Sequence, residues 1–336
     1  MTTVAEFQSG RLPHFGALRF TGPDSLSFLQ GQVSNDTRLL ADGPVLAAYS
    51  NAQGRVLAVL HLLPHSSGVT AVLPRELVSP ILERLRKFVL RAKVRLEDAG
   101  ELLCVAGHHG ARALEAARIA VPQANRRYVE QDGIGVAMVS GDPGRYWVVG
   151  AADGLAERLL TGDIGDTAGH REHAEQIEHD WRLADVRAGL PQIYLDTSET
   201  FVAQMLNLDL LDGISFSKGC YTGQEIIART QHLGRIKRRL FHLGLPQGQW
   251  SRGQALRLGD GRAGRLTEVV QTSDGYEALA VLSLEASSGL SAAAGGSTAA
   301  SSGAPAYAGA PADAGAPADA TSATLLTLPY TLCPPA

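Results

Sequence analysis

The chain has 336 residues, a formal net charge of −4, 45% hydrophobic residues and 19% charged residues. A chain of this length can form two or three domains, and so small a net charge predicts no extended polyanion-binding surface, so that only a local basic patch would indicate nucleic acid. The three cysteines, Cys104, Cys220 and Cys333, lie far apart, which argues against a four-ligand zinc site or a cysteine-ligated iron–sulfur cluster, and we predict no metal site.

The N-terminal stretch MTTVAEFQSGRLPHFG has no basic region followed by an apolar one, so we expect no signal peptide. The chain also lacks a run of about 18 apolar residues, which argues against a membrane span. A small, odd number of cysteines suits a reducing compartment. We therefore expect a cytoplasmic protein without a membrane partner.

Three segments of the first 189 residues have the patterns of helices. GPDSLSFLQGQVSND (22–36) predicts a short helix, and RELVSPILERLRKFVLRAK (75–93) has apolar residues at helical spacing. EHAEQIEHDWRLADVRAG (172–189) predicts a third helix that ends at Gly189. Between the last two helices, IGVAMVSGDPGRYWVVG (134–150) predicts two strands around a Gly-Asp-Pro-Gly turn.

The last third of the chain predicts strands and one long insertion. Residues 238–285 show strand patterns with a hairpin signal at 259–261, and their spacing suggests a small barrel. Residues 286–323 are almost entirely Ala, Gly, Ser and Pro, so we expect them to be disordered, because such a segment buries too little apolar surface to offset its conformational entropy. Helices and hairpins alternate without a βαβ rhythm, which favours an α+β fold with antiparallel sheets.

The stretch SFSKGCYTGQEIIAR (215–229) places a cysteine in an unusual setting. Thr222 and Glu225 match a capping box, which predicts a helix that begins just after Cys220, where the helix dipole favours an anion. In an extended chain, residues two apart point the same way, so the ammonium of Lys218 is expected near the sulfur.

Both effects favour a reactive thiolate at Cys220. Gly219 and Gly223 remove side chains around the sulfur, which is expected to leave room for a ligand. The alternative is a structural role, because most lone cysteines are small buried apolar residues. A cysteine–histidine protease is a weak interpretation, because the nearest following histidine, His232, is not fixed near the sulfur by the sequence.

The octapeptide KGCYTGQE (218–225) resembles the signature of the YgfZ family, folate-binding relatives of the glycine-cleavage T-protein. TGPDSLSFLQGQVSNDT (21–37) resembles the N-terminal motif of that family, and NAQGRVLAVLHLL (51–63) resembles its next strand. The resemblance covers about residues 12–285, and TLLTLPY (324–330) resembles the terminal strand of the family.

The resemblance implies a ring of three domains around a central hole that takes tetrahydrofolate. Residues 1–236 would form two interleaved α+β folate-binding domains. Residues 237–285 and 324–336 would form a C-terminal small β-barrel, interrupted by the insertion 286–323.

The resemblance also implies a role in maintaining iron–sulfur enzymes, including radical enzymes that modify tRNA, without a redox centre of the protein's own. The motif cysteine and lysine map to Cys220 and Lys218, the predicted catalytic pair. The aromatic residues that contact folate map to Phe15, a position where the family usually has tryptophan, and to Trp181.

Folate offers a flat pterin, a benzoyl ring and an anionic tail, so its site needs aromatic faces, a few polar groups and a cation. The candidates for hydrogen bonds to the pterin are Asp36, Gln204 and Asn207. The candidates for the tail are Arg187, Arg229, Arg235 and Lys237, of which Arg229 is the predicted ligand. Two of the proposed ligands have structural alternatives, because Asp36 can cap a turn and Trp181 can pack in the core.

The main hypothesis is a tetrahydrofolate-binding protein that supports iron–sulfur cluster assembly or repair through Cys220. Its partners would be folate and the client proteins, without direct binding to nucleic acid. One alternative is an aminomethyltransferase that passes a one-carbon unit to tetrahydrofolate. Another is a folate-responsive scaffold in which Cys220 is merely packed and the basic stretch RIKRR (235–239) docks a partner.

Overall fold

The fold is described by a computed structural model that covers residues 10–332, except residues 101, 124–126, 152, 156–167, 233–234, 286–317 and 321. The helices in this part of the chain are Ser25–Gln30 (α1), Arg75–Arg86 (α2), Arg112–Ala116 (α3), Ala168–Ala188 (α4) and Gln224–His232 (α5). Short 3₁₀ helices are formed by Thr37–Ala41 and Ala203–Leu206. The strands are Gly10–Arg11 (β1), Phe15–Thr21 (β2), Val45–Ser50 (β3), Val56–His65 (β4), Gly68–Pro74 (β5), Arg95–Asp98 (β6), Cys104–His109 (β7), Tyr128–Gln131 (β8), Ile134–Val139 (β9), Asp142–Gly150 (β10), Arg238–Leu245 (β11), Ala255–Leu258 (β12), Ala263–Thr272 (β13), Gly275–Ser283 (β14), Ala318–Ala320 (β15) and Thr324–Leu326 (β16).

The first sheet has the strand order β3-β4-β5-β2-β6, and all of its strand pairs are antiparallel. Strands β3 and β4 are buried over nearly their whole length, which explains why their sequences are continuous apolar runs instead of alternating patterns. Helix α2 turns Leu77, Ile81 and Leu85 toward this sheet, where they join its core.

The second sheet has the order β1-β7-β10-β9-β8 and is also antiparallel. Its first strand precedes the whole first sheet in the chain, whereas its other strands follow it. The two sheets are therefore built from alternating parts of the sequence.

The third sheet has the order β15-β12-β13-β14-β11-β16, and its only parallel pair in the described part of the chain is β12 with β15. Strand β16 pairs with β11, as expected for the terminal strand. Most of the predicted disordered insertion, 286–317, lies outside the described residues. Its last part differs from the prediction, because Ala318–Ala320 forms β15 and Ala320 is buried. The edge of β12 offers backbone groups for pairing. Because this pairing uses only the backbone, a segment without large apolar side chains can add a strand there.

Helix α4 and the segment after it connect the three sheets. The helix packs against β1, β13 and β14. Further along, Ile193, Phe201 and Leu206 belong to the core of the first sheet. This return of the chain places Trp181 and the cysteine-containing stretch where the sheets meet.

Two predicted boundaries differ from the structure. Helix α2 ends at Arg86, and residues 87–94 form turns and irregular chain, with Leu90 in the left-handed region at φ +41°. The turn between β9 and β10 lies at 140–141 instead of spanning Gly-Asp-Pro-Gly, because Asp142 already pairs with Val139 and a bulge absorbs the following residues.

The predicted α+β class with antiparallel sheets is confirmed by the three sheets and the few helices between them. Within the described ranges, none of the helices combines the length and the apolar composition that crossing a membrane requires.

Candidate functional site

The signature loop, residues 215–223, is anchored by the side chain of Lys218, which is only 5% exposed. Its Nζ donates to the carbonyl oxygens of Gln30, Val33 and Asn35 at 2.7, 2.8 and 2.9 Å. These carbonyls lie at the end of α1 and in the loop that follows it. The lysine therefore ties the signature loop to the first sheet's N-terminal helix.

This placement differs from the expected contact between the ammonium and the sulfur. An ammonium has three protons, and Lys218 gives each of them to a carbonyl, so none remains for a hydrogen bond to Cys220. Burial lowers the pKa of Lys218 to about 8, and the charge of Asp36 opposes that shift. Lys218 is thus a positioning residue for the loop, and its part in the chemistry stays a prediction.

Cys220 itself is exposed. A Cβ added at Gly219 would meet no atom within 4 Å, so the chain beside the cysteine is open, as expected. Gly223 has a different role from the one predicted, because its φ is +82° and an added Cβ would lie 2.6 Å from the carbonyl oxygen of Asn51. This glycine allows the loop to close on the turn at residues 51–54 instead of leaving room for a ligand.

A cleft of about 460 Å³ opens beside the signature loop. It is lined by residues of the loop itself, by the edge of the first sheet and by the second sheet, including Asn35, Leu46, Arg127, Phe216 and Ser217. A volume of this size is within the range of sites that take small ligands or a partner's side chains.

The helix after the cysteine begins one residue later than the capping box predicts, because a cap at Thr222 would make Gly223 the first helical residue. Helix α5 starts at Gln224, whose side-chain oxygen accepts a hydrogen bond from the backbone N–H of Tyr221 at 3.3 Å. The predicted capping box pairs the side chain of Glu225 with the backbone N–H of Thr222. The bond in the structure instead pairs Gln224 with Tyr221, and Glu225 is exposed. Cys220 lies four residues before the first residue of the helix.

The structure brings the two predicted aromatic residues into one cluster. The ring of Phe15 packs edge-on against Trp147 of β10 at 4.9 Å between centroids, and Trp147 packs on Trp181 at 4.7 Å. The exposed fractions of the three residues are 4%, 1% and 0%. The rings therefore cover one another at the junction between the first two sheets and α4.

Polar groups surround this aromatic cluster. The guanidinium of Arg145 lies 4.5 Å from the Trp181 ring centre and pairs with Asp142 and Asp185, at 2.7 Å in each case. Burial raises the pKa of Asp185, although the charge of Arg145 opposes the shift. The indole Nε1 of Trp147 is buried and has no hydrogen-bond partner among the described residues.

His61 and Gln192 complete the junction. The amide Nε2 of Gln192 lies 2.9 Å from Nε2 of His61, so the imidazole accepts at this nitrogen and is neutral. Burial and the charge of Arg145 lower the pKa of His61 to about 3. The side-chain oxygen of Gln192 is buried without a hydrogen-bond partner in the described structure.

Asp36 is engaged as a cap. Its carboxylate accepts from the backbone N–H of Arg38 at 3.0 Å and forms an ion pair with the Arg38 guanidinium at 2.6 Å. Gln30 donates to the same carboxylate at 3.2 Å. The hydrogen bond from Arg38 is the main reason that the pKa of Asp36 falls to about 2. These contacts favour the capping alternative over a bond to a pterin.

Gln204 and Asn207 lie between helix α5 and the third sheet, and each forms a hydrogen bond to one of them. Gln204 donates to the carbonyl of Ile227 in α5 at 2.7 Å, and Asn207 donates to the carbonyl of Leu240 in β11 at 2.9 Å. Asn207 has a φ of +58°, a conformation that asparagine tolerates well. The hydrogen bonds of Gln204 and Asn207 are thus made to α5 and β11, and not to residues of the cluster around Trp181.

The candidate cations for the folate tail have different surroundings. Arg187 forms an ion pair with Glu277 at 2.7 Å, so it is already neutralised. Arg229 is exposed on α5 and has no ion pair within the described residues. Arg235 and Lys237 are exposed as well.

Trp147, His61, Asp185 and Gln192 were not predicted from the sequence. They come from β4, β10, α4 and the segment after α4, and only the packing of the sheets brings them together. A usable signal was present at Arg145, because a charged residue directly before the apolar run of β10 needs a buried partner. No group of three or more His, Cys, Asp or Glu side chains in the described ranges has the geometry of a metal site.

No protein-family model matches the chain. Among curated proteins it is similar to the tRNA-modifying protein YgfZ of Serratia proteamaculans, with 32% identity over 272 residues that cover 79% of this chain and 80% of the relative. It is also similar to the tRNA-modifying protein YgfZ of Colwellia psychrerythraea, with 31% identity over 235 residues, 69% of this chain and 70% of the relative.

Among solved structures, the glycine cleavage system aminomethyltransferase T from Bartonella henselae has a similar fold. Its TM-score is 0.60 at 16% identity, over 83% of this chain and 79% of that chain. Identity this low supports the fold alone, whereas the curated relatives match the sequence over most of both chains. The chain therefore belongs to the YgfZ family.

Proposed function

We propose that this protein binds a tetrahydrofolate and supports iron–sulfur cluster assembly or repair in client enzymes, including radical enzymes that modify tRNA. Cys220 is the reacting group. The observation that carries this proposal is an exposed cysteine on a loop that Lys218 and Gly223 hold in place. The relatives named as tRNA-modifying proteins support the choice of clients.

A fixed, exposed sulfur suits both forms of the chemistry. As a thiolate, Cys220 either serves as a transient ligand to cluster iron or attacks a disulfide of a client, which forms a mixed disulfide and releases the client's other sulfur as a thiolate. Each form requires that a large partner reaches the sulfur, and the exposure of Cys220 and the open chain at Gly219 support that access.

The aromatic and polar junction fits a pterin in the kinds of groups it offers. Trp147 supplies a ring and an N–H donor, Gln192 an acceptor, and Asp185 a carboxylate. Arg229 is the remaining candidate for the anionic tail. Because the rings cover one another, a pterin enters this site only when they separate, so its binding changes the surroundings of the tryptophans.

Tryptophan emission tests the folate part of the proposal. Titration of the full chain with tetrahydrofolate should change the emission in a saturable way, and Gln192→Leu, which removes the free acceptor, should weaken binding by about tenfold. Arg257→Gln, at an exposed position in β12 that is not among the candidate folate ligands, is the control. Unchanged emission together with an absence of bound folate by calorimetry would remove folate from the proposal and leave the cysteine's role standing.

Replacement of Cys220 tests the thiol part. In cells that lack the native protein, Cys220→Ala should fail to restore iron–sulfur-dependent thiomethylation of tRNA, whereas Gln231→Ala, at an exposed position near the end of α5, should restore it. Full rescue by Cys220→Ala would contradict the proposal. The rate of alkylation at neutral pH, compared with that of free cysteine, separates a reactive thiolate from the scaffold alternative, in which Cys220 reacts no faster than the free amino acid.

The aminomethyltransferase alternative has its own readout. Formation of methylene-tetrahydrofolate from an aminomethyl-lipoyl carrier by the purified protein would favour that activity over the assembly role. We expect none, because the chemistry assigned to Cys220 has no part in that transfer.

A further inference from the structure

The segment after α2, residues 84–95, has an unusual concentration of positive charge. It contains six lysines and arginines and no acidic residue, in a chain whose net charge is −4. Two of the six are engaged: Arg84 contacts the hydroxyl of Tyr49, and Arg95 pairs with Glu97 at 2.9 Å.

The other four cations are Arg86, Lys87, Arg91 and Lys93. All four are exposed, and none forms an ion pair with an acid in the part of the chain that the structure describes. The acids that flank the segment are Glu83, which forms no ion pair among the described residues, and Glu97 and Asp98, which pair with Arg95 and Arg75. Asp24 accepts from the backbone N–H of Lys93 at 2.7 Å. The segment thus holds four uncompensated positive charges within eight residues.

Two apolar side chains project among these cations. Phe88 is 41% exposed and Leu90 is 89% exposed. Leu90 also has a φ of +41°, a left-handed conformation that leucine rarely adopts. Packing of the core does not explain this conformation, because the side chain of Leu90 lies in water. Residues in sparsely populated backbone conformations cluster at active sites, ligand clamps and switch regions.

We propose that residues 86–93 form a docking surface for RNA. Phosphates would contact the four free cations, and an unpaired base would stack on the phenyl ring of Phe88. RNA supplies both kinds of group at close spacing. The small net charge predicted no extended polyanion-binding surface and left a local basic patch as the sign of nucleic acid, and residues 86–93 form such a patch. This differs from the expectation that the protein does not bind nucleic acid directly.

The geometry favours RNA over a lipid surface. Membrane-surface binding by a basic segment usually relies on an amphipathic helix with a free apolar face. Here the apolar face of α2 is packed on the first sheet, and Lys87, Arg91 and Lys93 lie after the helix in turns and irregular chain. The surface needs neither Cys220 nor folate, so it stands or fails separately from the proposed function.

The test uses the full chain and a fluorescent, unmodified tRNA transcript, followed by anisotropy at several salt concentrations. The variant R86Q/K87Q/R91Q/K93Q should reduce the slope of log affinity against log salt by about three, because each lost phosphate contact removes about 0.7–0.9. The matched control is R11Q/R112Q/R118Q/R257Q, which removes the same charge from exposed positions elsewhere. The control should retain most of the slope and the affinity.

Phe88 provides an independent readout. Phe88→Ala should weaken binding about tenfold without changing the salt slope, whereas Phe88→Tyr should retain the affinity, because stacking needs only the ring. Equal losses in the two fourfold variants would overturn the proposal, as would an absence of tRNA binding by the unaltered protein. Binding to vesicles that contain phosphatidylglycerol, without binding to tRNA, would assign the surface to lipid instead.

Discussion

The ammonium of Lys218 holds the signature loop in place through hydrogen bonds to three carbonyl oxygens. Lys218→Met should lower the free energy of unfolding by about 3–5 kcal/mol, because three buried carbonyls lose a charged donor. Chemical denaturation measures the loss. The exposed Lys237→Met is the control, and a similar change in both variants would argue against the anchoring role.

Burial of His61 makes the free energy of unfolding depend on pH. Its pKa is lowered by burial to about 3, whereas the unfolded chain binds the proton near 6.5. Between these values the unfolded state holds more protons, so stability is full above pH 6.5 and falls as the pH decreases, by about 1.4 kcal/mol per unit.

His61→Gln should remove this part of the pH dependence. Unfolding curves from pH 7 to 4 would show a smaller slope for the variant than for the unaltered protein. The exposed His232→Gln is the matched control. Equal slopes for the unaltered protein and His61→Gln would show that His61 is not the buried neutral group described above.

At the scale of elements, the two glycines of the signature loop have opposite roles. Gly223→Ala should destabilise the protein by about 2–3 kcal/mol, because it combines left-handed strain with a clash against the Asn51 carbonyl. Gly219→Ala should change stability by less than about 0.5 kcal/mol, since its Cβ enters open space. Thermal unfolding of both variants measures the difference, and equal effects would contradict the described loop.

Local patterns were sufficient for some elements and not for others. The first helix and the strand pair β9 and β10 follow from caps, turns and periodicity within a few residues. Helix α2 was predicted too long, because Phe88 and Val89 continue the helical spacing although the backbone turns at Leu90. That break does not show in the spacing of apolar residues.

At the scale of the whole molecule, buried charge joins α4 to the third sheet. The carboxylate of Glu268, which is 4% exposed, pairs with Arg182 at 2.6 Å and accepts from the hydroxyl of Tyr194 at 2.7 Å. Glu268→Gln should lower the free energy of unfolding by about 3 kcal/mol, because it leaves a guanidinium without its counter-charge.

Tyr194→Phe is the matched comparison, since it removes one hydrogen bond and keeps the ring on which Arg252 lies at 3.7 Å. We expect a loss of about 1.5 kcal/mol. Denaturant titrations of both variants test the order. A larger loss for Tyr194→Phe than for Glu268→Gln would show that the ion pair does not hold this junction.

The candidate site was predictable from one short stretch at Cys220, and from the family resemblance at Phe15 and Trp181, which the fold brings into one cluster. The exposed cysteine and its glycine follow from one short stretch, whereas Trp147, His61 and Gln192 meet through the packing of distant elements. Asp36, by contrast, was a candidate ligand by residue type, and its neighbour Arg38 decided that it caps a turn.

The pairing of β15 with β12 has a consequence for how this chain tolerates changes in length. Strand β14 ends inside the third sheet and β15 begins at its edge, so the residues between them are tethered at both ends by paired strands. A change to that connection therefore acts on the fold through its two anchors, and β15 can stay paired with β12 only while the connection still reaches from the end of β14 to the edge of the sheet.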